Sequence, residues 1–161
     1  MKLKTFVVNA VLAALYIAVT FLIQPFGFTN IQFRLSEIFN HMVVFNKKYF
    51  FGIIIGVFLS NLFFSPMVAY DLIFGVGQSA IALLITIISA KYIRSLWTRM
   101  ALNTVVFTVS MCFIALELHL ALHLPFLITW LTTAIGEFVV MAVGAPIMMA
   151  INKKIPFARM I

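Results

Sequence analysis

The chain has 161 residues, of which 65% are apolar and only 9% charged, against about 25% charged in an average soluble domain. A soluble core of this size cannot hide so many apolar side chains, whereas a bilayer can, because lipid contact replaces burial. Eleven basic residues against four acidic give a net charge of +7. The basic residues sit in short clusters between apolar runs, a pattern of membrane topology and anionic-lipid contact rather than of nucleic-acid binding.

Met1-Lys2-Leu3-Lys4 followed by apolar sequence imitates a signal peptide. The run to Ile23 is long for one, and more spans follow it, so it reads as a retained first helix, Thr5 to Ile23, ending before Pro25-Phe26-Gly27. A second, short helix is expected over Ile31–Phe45, and it carries the most polar residues. The third runs over Tyr49–Phe64 and stops near Pro66. The fourth covers Val68–Ala90, the fifth Met100–Leu122 and the sixth Phe126–Ile151. Spanning takes about 20 residues, so the second and third are near or below the lower limit.

The expected fold is therefore an all-α integral membrane protein, a compact bundle of six transmembrane helices forming one domain over residues 1–161. Its orientation follows from the basic clusters: Lys2 and Lys4; Lys47 and Lys48; Lys91, Arg94 and Arg99; Lys153, Lys154 and Arg159. Six helices put all of these on one side, so both termini are expected in the cytoplasm and ten of eleven basic residues obey the positive-inside rule. Arg34, at the outer end of helix 2, is the exception. Ala10, Ala14 and Ala18 form a small-residue stripe on helix 1, and Gly52, Gly56 and Ser60 form another on helix 3. Such stripes let helices approach closely; the second reads as bundle packing, the first as packing or as a face for a partner protein.

The four acidic residues are Glu37, Asp71, Glu117 and Glu137. Six helices place each in the outer half of its helix or at its outer end. A carboxylate at mid-membrane costs about 2.5–3.5 kcal/mol on insertion scales, so each needs a partner or a watered cavity. Four of them from four helices point to one polar site open to the outside. In helix 2, Gln32-Phe33-Arg34-Leu35-Ser36-Glu37 is followed by Asn40-His41, and Arg34, Glu37 and His41 are spaced to share a helical face. Arg34 and Glu37 either neutralise each other or leave one carboxylate edge for a ligand with paired N–H groups. Asp71, Gly75 and Gln78 share a face of helix 4, where Asp71 reads equally as an N-terminal cap or as a ligand contact. Asn61 stands near the outer end of helix 3. Trp130, Ala134 and Glu137 share a face of helix 6, with Trp130 either a stacking platform or an interfacial belt residue. His119 and His123 at the end of helix 5 read as interfacial, and no metal site is expected. Cys112 lies alone in an apolar run, and phosphate loops, dinucleotide fingerprints and Ser-His-Asp motifs are absent.

The segment Ile31-Gln32-Phe33-Arg34-Leu35-Ser36-Glu37 resembles the signature of the QueT family, the substrate-binding (S) components of energy-coupling-factor transporters for queuosine precursors. Asn61, the Asp71-Leu72-Ile73-Phe74-Gly75 stretch, and Gly136-Glu137 with Gly144 are similar to that family as well, and the likeness runs over nearly the whole chain. The resemblance implies a bacterial plasma-membrane protein, not an enzyme, that captures a 7-deazaguanine, the 7-aminomethyl form foremost, from outside. It implies a membrane coupling protein and two cytoplasmic ATPases as partners, with ATP used by those subunits and no cofactor in this chain. It also implies that Ala10, Ala14 and Ala18 contact the coupling protein. For such a ligand, Glu37 or Glu137 suits the N1–H and exocyclic amine, and Asp71 or Glu117 the cationic arm. Arg34, Gln32, Asn61 or Gln78 suit the carbonyl oxygen, and Phe33 or Trp130 the ring face. Other readings are an S component for a flavin or thiamine, a membrane enzyme or proton relay using Glu137 with His119 or His123, and a scaffold without ligand.

Overall fold

The computed structural model describes residues 3–24 and 33–161, and among these every regular element is helical. Lys2, Ile31 and Gln32 lie outside the described residues. Helix α1 spans Leu3–Leu22. A 3-10 segment, Leu35–His41, runs directly into the short α2, Met42–Phe45. After a 3-10 turn at Lys47–Tyr49, α3 covers Phe50–Phe64 and α4 Val68–Ser89. Helix α5 runs over Leu96–Leu122, α6 over Phe126–Lys154, and a last turn, α7, over Phe157–Met160.

Five described helical stretches are long and apolar enough to cross a membrane: Leu3–Leu22, Lys47–Phe64, Val68–Ser89, Leu96–Leu122 and Phe126–Lys154. Their outward residues are apolar, as lipid contact requires: Phe6, Val11, Leu15, Ile73, Ile85, Val105, Leu131 and Val143 are all exposed. The helix expected over Ile31–Phe45 takes another form, seven residues of 3-10 helix followed by four of α-helix. Helix α5 also starts four residues earlier than Met100, because the Ser95 side chain accepts from Thr98 N–H and caps it there. It stops at His123, whose left-handed backbone (φ 57°) closes the last turn.

The long helices pack in chain order, α1 on α3, α3 on α4, α4 on α5 and α5 on α6. The 3-10 segment lies against α6 and α1, and α2 reaches α4 and α5, so this polar stretch threads the interior. Small residues set the close approaches. A Cβ on Gly56 would stand 2.7 Å from Tyr16 Cβ, and one on Gly144 2.7 Å from Ile38 Cγ2. The Gly52–Gly56–Ser60 stripe therefore serves α1 packing, with Gly52 N–H donating to Asn9 Oδ1 at 2.8 Å. Ala10, Ala14 and Ala18 face outward and stay exposed. The apolar core lies toward the other end of the 3-10/α2 segment, around Val43, Tyr49, Ile53, Leu83, Phe107, Met141 and Met148. Helix α7 seals it: Phe157 is buried against Tyr49 and Phe45, and its carbonyl accepts from Tyr49 Oη at 2.9 Å.

Candidate substrate site

The 3-10 geometry decides which side chains of the polar segment meet. At three residues per turn, positions i and i+3 eclipse. Glu37 and Asn40 therefore stand one above the other, and Asn40 Nδ2 donates to Glu37 Oε2. The α-helical spacing that would put His41 beside Arg34 and Glu37 does not apply. His41 turns inward, is fully buried, and meets Met141 C=O at 2.9 Å and Asn103 Nδ2 at 3.3 Å.

Glu37 takes its second donor from α1, where Tyr16 Oη donates to Oε1 at 2.8 Å. Next to it, Thr20 Oγ1 donates to Ser36 Oγ at 2.8 Å, tying the segment to α1. Arg34 crosses to α4 and forms a buried ion pair with Asp71, Nη2 to Oδ1 at 3.0 Å. Asp71 does not cap its helix with its side chain; Oδ2 accepts from Ser65 Oγ at 2.5 Å, and Ser65 Oγ in turn accepts from Met67 N–H at 2.8 Å. Asn61 Nδ2 donates to the Asp71 carbonyl at 3.0 Å. Gly75 makes room: a Cβ there would stand 2.8 Å from Asn61 Nδ2 and 3.6 Å from Asp71 Oδ1.

Glu117 on α5 and Glu137 on α6 complete the cluster. Glu117 feels the charges of Asp71 and Arg34, and Glu137 those of Glu37 and Arg34. Each is 1% exposed. Among the described residues neither oxygen of Glu117 has a hydrogen-bond partner, nor has Oε1 of Glu137. Four carboxylates from four elements thus converge around one guanidinium, and the cluster is negative unless protons or a cation offset it.

The other expected contacts fall elsewhere. Gln78 donates to Ser110 Oγ at 2.8 Å and joins α4 to α5. Trp130 is half-buried in an apolar groove with Thr108, Val109, Leu127, Leu131 and Ala134, and its indole N–H donates to Val109 C=O at 3.2 Å. The helical period placed Trp130 level with Glu137, but it falls at the border of α6's buried stripe (Thr129, Thr133, Gly136, Glu137, Val140) and meets α5 backbone. Phe33 is 39% exposed beside Arg34. His119 meets Leu124 C=O at 2.7 Å at the helix end. Among the described residues no cluster of His, Cys, Asp and Glu has metal-binding geometry. Tyr16, Asn40 and Ser65 are the contributors that sequence reasoning missed. A phenol in the middle of the long apolar stretch of α1 was the available signal for Tyr16, since its hydroxyl needs a partner when buried.

Five long apolar helices around a buried ionic cluster define a multi-pass membrane protein with a polar site inside its bundle. The sequence profile of the QueT transporter family matches residues 6–153. A queuosine precursor transporter QueT of Lactococcus lactis subsp. cremoris (strain MG1363) is 35% identical over 170 aligned residues, covering 98% of this chain and 99% of that one. No solved structure matches the chain. The chain belongs to the QueT transporter family, which makes it a transporter rather than an enzyme.

Proposed function

We propose that this protein is the substrate-binding component of an energy-coupling-factor transporter, and that it captures a queuosine precursor, the cationic 7-aminomethyl-7-deazaguanine, from the outside of a bacterial plasma membrane. The observation that carries this reading is the cluster itself: four buried carboxylates, one guanidinium, and carboxylate oxygens left without donors. Buried acids without partners cost several kcal/mol, a cost that a ligand bringing N–H donors and positive charge removes. A guanine-like edge supplies two donors and an aminomethyl arm supplies the cation. Arg34, Glu37, Asn61, Asp71, Glu117 and Glu137 form the site, with Phe33 at its rim.

In this reading the 3-10/α2 segment counts as the sixth membrane-embedded element, and both termini lie in the cytoplasm. Uptake is driven by ATP in two partner ATPases through a membrane coupling protein, and this chain holds no cofactor. The exposed Ala10, Ala14 and Ala18 form the face that meets the coupling protein, where small side chains permit close helix approach.

The test is thermal stabilisation of the purified chain with 7-aminomethyl-7-deazaguanine, 7-cyano-7-deazaguanine, riboflavin and thiamine. Ligand that binds only the folded state raises the melting temperature by mass action. Stabilisation by the deazaguanines alone is the expected result. Stabilisation by a flavin or thiamine, or uptake by the chain without ATPase partners, would refute the reading.

A further inference from the structure

The four carboxylates divide by what the protein itself gives them. Both oxygens of Glu37 accept hydrogen bonds, from Tyr16 and Asn40. Both oxygens of Asp71 are engaged, by Arg34 and Ser65. Among the described residues Glu117, equally buried, has a donor on neither oxygen, and Glu137 lacks one on Oε1. Groups already saturated from within hold a shape; groups left without donors are where a ligand's donors go.

Resting on the function proposed above, we infer that Glu117 and Glu137 are the residues that read the ligand, while Glu37 and Asp71 only position them: Glu117 accepts the paired N–H groups of the ring edge, and Glu137 holds the cationic arm. Two vacant oxygens on one carboxylate match two parallel N–H donors, as in carboxylate–amidine pairing. Glu137 stands within electrostatic reach of Glu37, so that corner brings the influence of two acids together. The cation near both, Arg34, is drawn to Asp71 at 3.0 Å. A second cation beside Glu137 relieves the repulsion there. Near Glu117, the ion pair with Arg34 offsets Asp71 in part, and what sets this corner apart is that both carboxylate oxygens lack donors among the described residues.

The experiment is calorimetric titration of the purified full chain and its E117Q, E117D, E137Q and E37Q variants with 7-aminomethyl-7-deazaguanine and the uncharged 7-cyano-7-deazaguanine, together with ligand-free melting temperatures. E117Q turns an N–H toward the ligand's own N–H groups and is expected to weaken both compounds by about 100-fold or more. E117D, which keeps the charge but withdraws it by one methylene, also weakens both. E137Q is expected to weaken the aminomethyl compound about thirtyfold and the cyano compound less than about threefold, collapsing the preference for the cation. Ligand-free E117Q and E137Q melt at or above the wild-type temperature, since an uncompensated buried acid is gone. E37Q melts lower, since Tyr16 and Asn40 lose a charged acceptor. The assignment is overturned if E117Q and E117D bind as wild type, if E137Q leaves the cation preference intact, or if the two roles are exchanged. A wild-type chain that binds neither compound overturns the proposed function and this assignment together; wild-type binding with unaffected Glu117 and Glu137 variants overturns the assignment alone.

Discussion

Two of the buried polar networks in the bundle differ in how far they satisfy themselves. One is neutral and closed. Thr86 Oγ1 donates to Asn103 Oδ1 at 2.7 Å, Asn103 Nδ2 meets His41 Nδ1 at 3.3 Å, and His41 Nε2 meets Met141 C=O at 2.9 Å. Because Asn103 uses its oxygen as acceptor and Met141 offers only a carbonyl, His41 is neutral with its proton on Nε2. The other network holds Arg34, Glu37, Asn40, Asp71, Glu117 and Glu137, and among the described residues it leaves Oε1 and Oε2 of Glu117, Oε1 of Glu137 and Oδ1 of Asn40 without donors. The two share one short segment, since Glu37 and Asn40 belong to the second and His41 to the first. A closed network ties α4, α5, α6 and the threaded segment together; an open one costs stability and makes sense where something is to be received.

Removing the partner of a buried charge is the most direct way to break the second network. Asp71→Ala deprives Arg34 of its ion pair and Ser65 of its acceptor, and it is expected to lower unfolding stability by about 3–5 kcal/mol and to abolish ligand binding. Chemical unfolding in detergent with and without ligand checks it. A variant as stable as wild type would mean that the ion pair is not the keystone of the site.

Breaking the closed network should affect stability and leave recognition alone. Asn103→Leu removes the bridge between Thr86 and His41 and strands both, an expected loss of about 1–3 kcal/mol. Ligand affinity, measured by titration at a temperature where the variant is folded, should stay within about threefold of wild type. A much larger loss of affinity would show that the two networks act as one and that the contrast between them is wrong.

Much of this arrangement could be read from the chain, because a bilayer writes itself into sequence as apolar runs. The long helices follow those runs, α3 stopping before Pro66 as expected and α5 starting at the Ser95 cap, earlier than expected, and Glu137 stands out as an acid deep within one of them. The conformation of the polar segment was not legible: Arg34, Glu37 and His41 are spaced to share an α-helical face, yet the segment packed against α6 and α1 is 3-10, and its tighter turn parts His41 from Glu37. Pairing was hidden too. Arg34 lies three residues from Glu37 yet pairs with Asp71, and Glu37 is claimed by Tyr16, whose hydroxyl comes from 21 residues away. The direct neighbours of Trp130 were hidden as well, since a helical period gives a direction and says nothing of what stands opposite, here the Val109 carbonyl.

The smallest effect comes from two glycines two residues apart on α4. Gly75 faces the open network, and a methyl there would sit 2.8 Å from Asn61 Nδ2. Gly75→Ala is therefore expected to displace Asn61 from the Asp71 carbonyl and to weaken ligand binding, at a stability cost of about 1–3 kcal/mol. A Cβ on Gly77 would meet nothing within 4 Å. Gly77→Ala should leave binding unchanged and stabilise the helix by up to about 1 kcal/mol, the propensity difference between the two residues. That gain belongs to helices exchanging with water-exposed chain, and a membrane helix already pays for its backbone hydrogen bonds in any state that stays in the bilayer. The measured gain is thus expected at the low end of the range. If Gly77→Ala instead impaired binding as Gly75→Ala does, the site would depend on the flexibility of α4 as a whole rather than on the space that one glycine leaves beside Asn61 and Asp71.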